Sequence, residues 1–184
     1  MTAPKATDST VGRVLELVRA RAASAEAEVF ARWGLSGLTR FANSVIHQSV
    51  AEEVSHVLLR VALDGHVATV ALDGPPDADH LGRLVGNAFE AARAQPLDPG
   101  WPGLTQPTRP VVVDHWDDGT AEAKPDDRAK RVGAFVAASG GLETAGFCSS
   151  NAWLMNYLNT AGHVVLGRTT SATIDGIART PTAV

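Results

Sequence analysis

The chain has 184 residues, of which 45% are hydrophobic and 20% are charged, with a formal net charge of −4. This apolar fraction is enough for a hydrophobic core and excludes extensive disorder, and the acidic balance argues against nucleic-acid binding. No apolar run approaches the ~20 residues of a membrane span, and residues 1–8 lack the apolar stretch of a signal peptide. The single cysteine, Cys148, cannot form an internal disulfide, which favours a reducing, cytoplasmic location.

The N-terminal region predicts a helix followed by extended chain. After a loose tail, residues 1–8, a cap on Ser9 or Thr10 begins a helix that ends near Ala23. Its apolar residues fall on one helical face: Val11, Val14, Leu15 and Val18. From residue 27 the period changes to two, which predicts a strand over 27–33, a turn at 34–37 and a second extended segment over 38–48.

A β-hairpin is the clearest local prediction. Residues 57–63 and 66–72 flank Asp64-Gly65, a pair suited to the positive φ angles of a type I′ turn. Pairing across this turn collects the apolar residues of both strands on one face, which needs a covering helix.

The rest of the chain repeats this alternation of helix and strand. A second helix follows the breaker at 73–77 and runs to about Gln95, and residues 96–110 contain five prolines and form a loop or linker. An acidic stretch, residues 114–118, precedes a third helix that opens at Pro125 and stops at Gly140-Gly141. Residues 143–178 read as strands.

The order of elements indicates an α+β fold made of two related helix-then-strand units, with helices packed on one face of a mainly antiparallel sheet. We predict a first unit at 9–95, a Pro/Gly-rich and acidic linker at 96–124 and a second unit at 125–184. An Asn-hydroxyl-x-x-His element occurs in both units and would superpose Asn43 on Asn159 and His47 on His163. Chance similarity between two helix-and-strand patterns is the alternative.

Motifs for catalysis are missing from the sequence. The six histidines do not have the spacing of a zinc site, and the nucleophile and phosphate-binding motifs are absent. The acidic stretch 114–118 suits a solvated loop better than a metal cluster. Cys148 lies in a strand pattern, where a buried thiol is usually inert. We therefore assign no catalytic and no metal-binding residue.

The segment 38–48, Leu-Thr-Arg-Phe-Ala-Asn-Ser-Val-Ile-His-Gln, resembles a stretch of the TldD/PmbA family. The Asp-Gly hairpin, the helix ending in Ala91-Ala92-Arg93-Ala94, the segment 132–142 and the region around Asn159 resemble it too. The similarity extends from about residue 11 to residue 177.

This resemblance implies a zinc-dependent peptidase family, historically labelled modulators of DNA gyrase, that acts on unfolded peptides and precursor leader sequences. It also implies dimers, often of one catalytic and one non-catalytic subunit. The family's His-Glu-x-x-x-His motif and a further cysteine ligand belong to the C-terminal half, and this sequence contains no His-Glu pair. We therefore expect zinc only in a C-terminal half that lies beyond Val184, and no cofactor in this chain.

Two functions follow from these observations. The chain is either the N-terminal portion of such a metallopeptidase, contributing fold, dimerisation and peptide chamber, or a stand-alone, non-catalytic module that binds peptides or a partner. Expected partners are a second family subunit and extended peptides, with no membrane and no nucleic acid. Candidate contact residues are Arg40, Asn43 and Asn159, although a structural role in turns is an equally good explanation for both asparagines.

Overall fold

The computed structural model describes residues 6–111 and 113–180, with side chains from residue 10 onward. Within that part of the chain, the helices are α1 (Ala6–Arg21), α2 (Ala78–Ala94), α3 (Asp118–Ala121) and α4 (Pro125–Ala138). The strands are β1 (Glu26–Ala42), β2 (Val45–Leu63), β3 (His66–Asp73), β4 (Glu143–Asn159) and β5 (Val164–Arg179).

The five strands form one antiparallel sheet in the order β3-β2-β1-β4-β5, which confirms the predicted α+β class. The Asp-Gly hairpin is confirmed as well, with a register that runs from Leu63 opposite His66 to His56 opposite Asp73. Asp64 and Gly65 have φ angles of 51° and 83°, the two positive values of a type I′ turn.

The predicted turn at residues 34–37 is wrong, because β1 continues through it. Gly34 and Gly37 lie where other groups come close to the backbone of β1. A Cβ on Gly34 would lie 1.8 Å from the carbonyl oxygen of Ala152, and a Cβ on Gly37 would lie 2.3 Å from the guanidinium of Arg128. The turn lies instead at Asn43-Ser44, inside the predicted segment 38–48, where φ is 51° and 61°.

One helix boundary differs from the prediction, and the predicted linker contains a helix. Helix α1 begins at Ala6, before the expected cap at Ser9 or Thr10. Most of the loose tail, residues 1–5, lies outside the described residues. The predicted linker 96–124 contains the short helix α3, whose N-cap, Asp117, accepts a hydrogen bond from the backbone N–H of Thr120 at 2.6 Å.

The chain divides into two compact units that alternate along the sequence. Unit 1 contains residues 1–33, 54–113 and 154–167, and unit 2 contains residues 34–53, 114–153 and 168–184. Strands β1, β2, β4 and β5 each supply residues to both units. The helix-then-hairpin order recurs as α1-β1-β2 and α4-β4-β5, and the superposition of Asn43 on Asn159 stays a prediction.

The core of unit 1 forms where α1 and α2 pack on one face of the sheet. Its fully buried side chains include Val11, Val14 and Val18 of α1, Val29 of β1, Val57, Leu59 and Val61 of β2, and Phe89 of α2. The strands, with apolar residues at every second position, and the helices, with an apolar period of 3.6, share this core because each buries one apolar face.

Unit 2 has a smaller core beneath α4. Val132 packs with Phe41 of β1 and Cys148 of β4, and Phe135 lies 5.5 Å from Phe41 between ring centroids. Pro125 at the first turn of α4 and Gly140-Gly141 after its last turn confirm the predicted helix boundaries. Among the described helices, none combines the length and apolar character needed to cross a membrane.

Candidate functional site

Unit 1 carries a polar network on the sheet face opposite α1 and α2. Glu28 of β1 accepts hydrogen bonds from Arg60 Nη1 at 2.6 Å and from the hydroxyl of Tyr157 at 2.8 Å. Arg60 also donates from Nε to Thr69 Oγ1 at 3.2 Å. Alternation along the strands places these residues on one face, since their neighbours in β1 and β2 point into the core.

Burial raises the pKa of Tyr157 above its ordinary value, and the carboxylate of Glu28 raises it further. The phenol therefore stays protonated at neutral pH and acts as a hydrogen-bond donor. Arg60 supplies the counter-charge to Glu28, and Tyr157 adds a hydrogen bond that helps to hold the carboxylate in place.

The proline-rich loop, residues 96–111, which we call the cover loop, crosses this network. Trp101 donates from its indole nitrogen to Glu26 Oε2 at 2.6 Å, and the carbonyl of Thr105 accepts from Asn159 Nδ2 at 2.8 Å. The cover loop is therefore held by a carboxylate and an amide of the sheet.

Asn159 is 2% exposed, and its side chain is fully engaged. Its Oδ1 accepts the backbone N–H of His163 at 2.9 Å, which closes the β4–β5 turn, and its Nδ2 also contacts the hydroxyl of Tyr157 at 3.3 Å. These contacts favour the structural role that the sequence left open for this residue.

His163 is the least satisfied polar side chain of the network. It is 7% exposed, and neither ring nitrogen has a hydrogen-bond partner among the described residues. Its ring lies edge-on to Tyr157 at 5.7 Å between centroids. A buried donor without a partner costs about 1–3 kcal/mol.

Unit 2 contains a buried cation that sequence reasoning missed. Arg128 of α4 is 2% exposed and donates to Ser150 Oγ at 2.9 Å, to Thr39 Oγ1 at 3.3 Å and to the carbonyl of Val50 at 3.4 Å. These three acceptors belong to β4, β1 and β2, and none carries a charge. The signal in the sequence was Gly37, whose missing side chain makes room for the guanidinium.

Arg40 and Asn43 lie on the β1–β2 hairpin of unit 2, and Asn159 belongs to unit 1. Both hairpin residues are exposed. Asn43 forms the turn with Ser44, whose hydroxyl accepts the backbone N–H of Thr144 at 3.1 Å. Arg40 is thus the candidate whose side chain is exposed and takes no part in a turn.

The acidic stretch 114–118 is bound to the edge strand β5 within unit 2. Asp114 accepts two hydrogen bonds from Arg168, at 3.1 and 2.6 Å, and this guanidinium lies 5.2 Å from the ring of Trp116. The backbone of His115 forms a parallel bridge with Thr169 and accepts the N–H of Thr170 at 2.8 Å. We call residues 114–117 the edge clamp.

Arg168 lowers the pKa of Asp114 mainly through these hydrogen bonds. The described residues bring together no cluster of three or more acidic, histidine or cysteine side chains that could hold a metal.

Neither a protein-family model nor a curated protein sequence matches the chain, whereas solved structures do. TldE from Thermococcus kodakarensis superposes with a TM-score of 0.75 at 12% identity, over 97% of this chain and 40% of TldE. A protein named as a candidate modulator of DNA gyrase from Thermotoga maritima gives 0.75 at 11% identity, over 95% and 40% of the two chains. A similarly named protein from Bacteroides thetaiotaomicron gives 0.75 at 13% identity, over 96% and 41%.

Identities this low show a shared fold. The resemblance to the TldD/PmbA family is therefore confirmed at the level of the fold, and the chain spans about two fifths of the length of these structures.

Proposed function

We propose that the chain is the N-terminal portion of a TldD/PmbA-type metallopeptidase that acts on unfolded or precursor peptides in the cytoplasm. In this proposal it contributes the fold, dimer contacts and part of a peptide chamber, and the zinc site belongs to a C-terminal half. The observation that carries the proposal is the superposition of nearly the whole chain on two fifths of each TldE-like structure.

The way in which unit 1 holds its own cover loop supports the peptide-binding part of the proposal. The cover loop is held by the Thr105 carbonyl, by the Trp101 side chain and by backbone pairing of Leu97 and Asp98 with the β2–β3 hairpin. Recognition through backbone groups tolerates many sequences, which suits varied unfolded substrates. Arg40 adds an exposed positive charge that suits a peptide carboxylate.

A stand-alone module that binds peptides or a partner subunit is the second candidate. The absence of a His-Glu pair from this sequence fits both candidates, because the first places its zinc site in a C-terminal half and the second needs no metal. The coding sequence separates the two: a reading frame that continues past Val184 into His-Glu-x-x-x-His supports the peptidase, and a stop codon supports the module.

Metal analysis tests the assignment of the zinc site. The purified 184-residue chain, dialysed against zinc and then against buffer, should retain less than stoichiometric zinc, because a zinc site needs three or four clustered ligands. It should also leave an unfolded casein substrate intact. One tightly held zinc per chain, with cleavage that a chelator abolishes, would contradict the proposal.

A further inference from the structure

The outer edge of β5 is open beyond the edge clamp. Strand β5 is the last strand of the sheet, and the clamp covers it at Thr169 and Thr170. From residue 171 to residue 179 no other strand pairs with this edge in the part of the chain that the structure describes. Such an edge presents unpaired N–H and C=O groups to another chain.

The alternation of backbone hydrogen bonds along β5 identifies the N–H and C=O groups that point away from β4. Asn159 and His163 bond to each other across the β4–β5 turn, and Thr170 bonds outward to His115. Directions alternate along an antiparallel strand, so the even-numbered residues from Ala172 to Ala178 point outward. The carbonyl of Asp175 agrees with this, since it points inward to Gly146.

This edge has little protection against pairing. Residues 171–180 contain no proline and no lysine, and their charges are one Asp and one Arg. Ile177 is 65% exposed and Ile174 is 42% exposed. The segment therefore has no net charge, exposes two isoleucines and is long enough to pair.

We propose that residues 175–179 pair antiparallel with the same residues of a second copy of this chain, about a two-fold axis at Ile177. In this register Asp175 of each copy lies opposite Arg179 of the other, and the two Ile177 side chains meet. Gly176 and Ala178 would exchange the backbone hydrogen bonds. The inference deepens the dimerisation part of the proposed function and rests on it in that respect.

The opposite charges of Asp175 and Arg179 favour a second copy of this chain as the partner, and they favour this register over its neighbours. A centre at Asp175 would oppose two carboxylates, and a centre at Gly176 would place both charges opposite other side chains. Arg179 contacts Glu143 through one nitrogen at 2.6 Å, and a guanidinium has further N–H donors for the partner's carboxylate. Opposite charges in a cross-strand pair stabilise it, and like charges destabilise it.

The edge clamp limits the length of the pairing. Because it occupies the edge up to Thr170, a partner strand cannot extend toward the start of β5. The contact is short, so we expect a concentration-dependent dimer rather than a permanent one.

Sedimentation velocity of the 184-residue chain tests the register through charge reversal. Asp175→Arg alone places two arginines opposite each other, and Arg179→Asp alone places two aspartates opposite each other. Each variant should dimerise about tenfold more weakly than the wild type. An equimolar mixture of the two variants should recover dimerisation, because both pairs then join opposite charges.

Two separate proline substitutions test whether the dimer forms through the edge of β5. Ala178→Pro removes an outward N–H inside the paired segment and should abolish dimerisation, whereas Ala172→Pro removes one outside it and should not. Circular dichroism and the unfolding midpoint establish that both variants fold. A strictly monomeric wild type, a mixture that behaves as the average of its components, or equal effects of the two prolines would overturn the inference. Such a failure leaves the zinc and peptide tests of the proposed function unaffected.

Discussion

The pairing of Gly37 with Arg128 shows how one small residue and one buried charge depend on each other. A guanidinium is costly to bury without a counter-charge, and here its hydrogen bonds to β1, β2 and β4 offset that cost. No periodicity predicts it, because Arg128 follows Asp126 and Asp127 in what reads as the exposed first turn of a helix. Likewise, the sequence singled out Asn159, but only the coordinates show its amide bound to the cover loop.

A double-mutant cycle tests this dependence. Gly37→Ala should lower the free energy of unfolding by about 2 kcal/mol, because the new methyl group displaces the guanidinium. In an Arg128→Met background the same change should cost less than half as much. Gly133→Ala, where a Cβ meets nothing within 4 Å, is the control and should stabilise α4 by about 0.5–1 kcal/mol. Equal costs of Gly37→Ala in both backgrounds would contradict the explanation. Chemical denaturation measures all four values.

At the scale of elements, the predictions held where local chemistry decides and failed where tertiary contacts decide. The Asp64-Gly65 hairpin and the start of α4 at Pro125 follow from backbone preferences, and both are confirmed. Gly34 and Gly37 imitate a turn, yet they lie inside β1 because Ala152 and Arg128 approach them closely. The real turn uses Asn43-Ser44, a weaker turn pair than Asn-Gly, with positive φ at both residues.

We predict that the stability contributed by the edge clamp depends on pH. The pKa of Asp114 is lowered in the folded chain, chiefly by its hydrogen bonds to Arg168, so the clamp's contribution is complete above the ordinary pKa of about 3.9. It is lost as the pH falls through the lowered folded value. A carboxyl titration by NMR should give Asp114 a pKa below the ordinary value in the wild type and a higher one in Arg168→Gln. An unchanged titration in that variant would show that Arg168 does not hold the carboxylate.

At the scale of the whole molecule, the chain shares its fold with the three solved structures although the sequence identity is low. Identities of 11–13% accompany a TM-score of 0.75 in all three structures, because apolar periodicity and turn positions specify the fold more than particular side chains do. The class and the family-like fold were therefore predictable from the sequence. The polar network around Glu28 was not, since its members come from four strands and meet only in the folded sheet.

Peptide binding tests the central claim of the proposed function most directly. Fluorescence polarisation of a labelled, unstructured peptide with a free carboxyl terminus should show saturable binding to the 184-residue chain. The same peptide locked by a disulfide into a compact ring should bind more weakly, because extended backbone is what a sheet recognises. Arg40→Ala should weaken binding of the linear peptide without changing the unfolding midpoint, and Arg13→Ala, which alters another exposed arginine, should not. No binding of the linear peptide, or equal binding of both forms, would contradict the account.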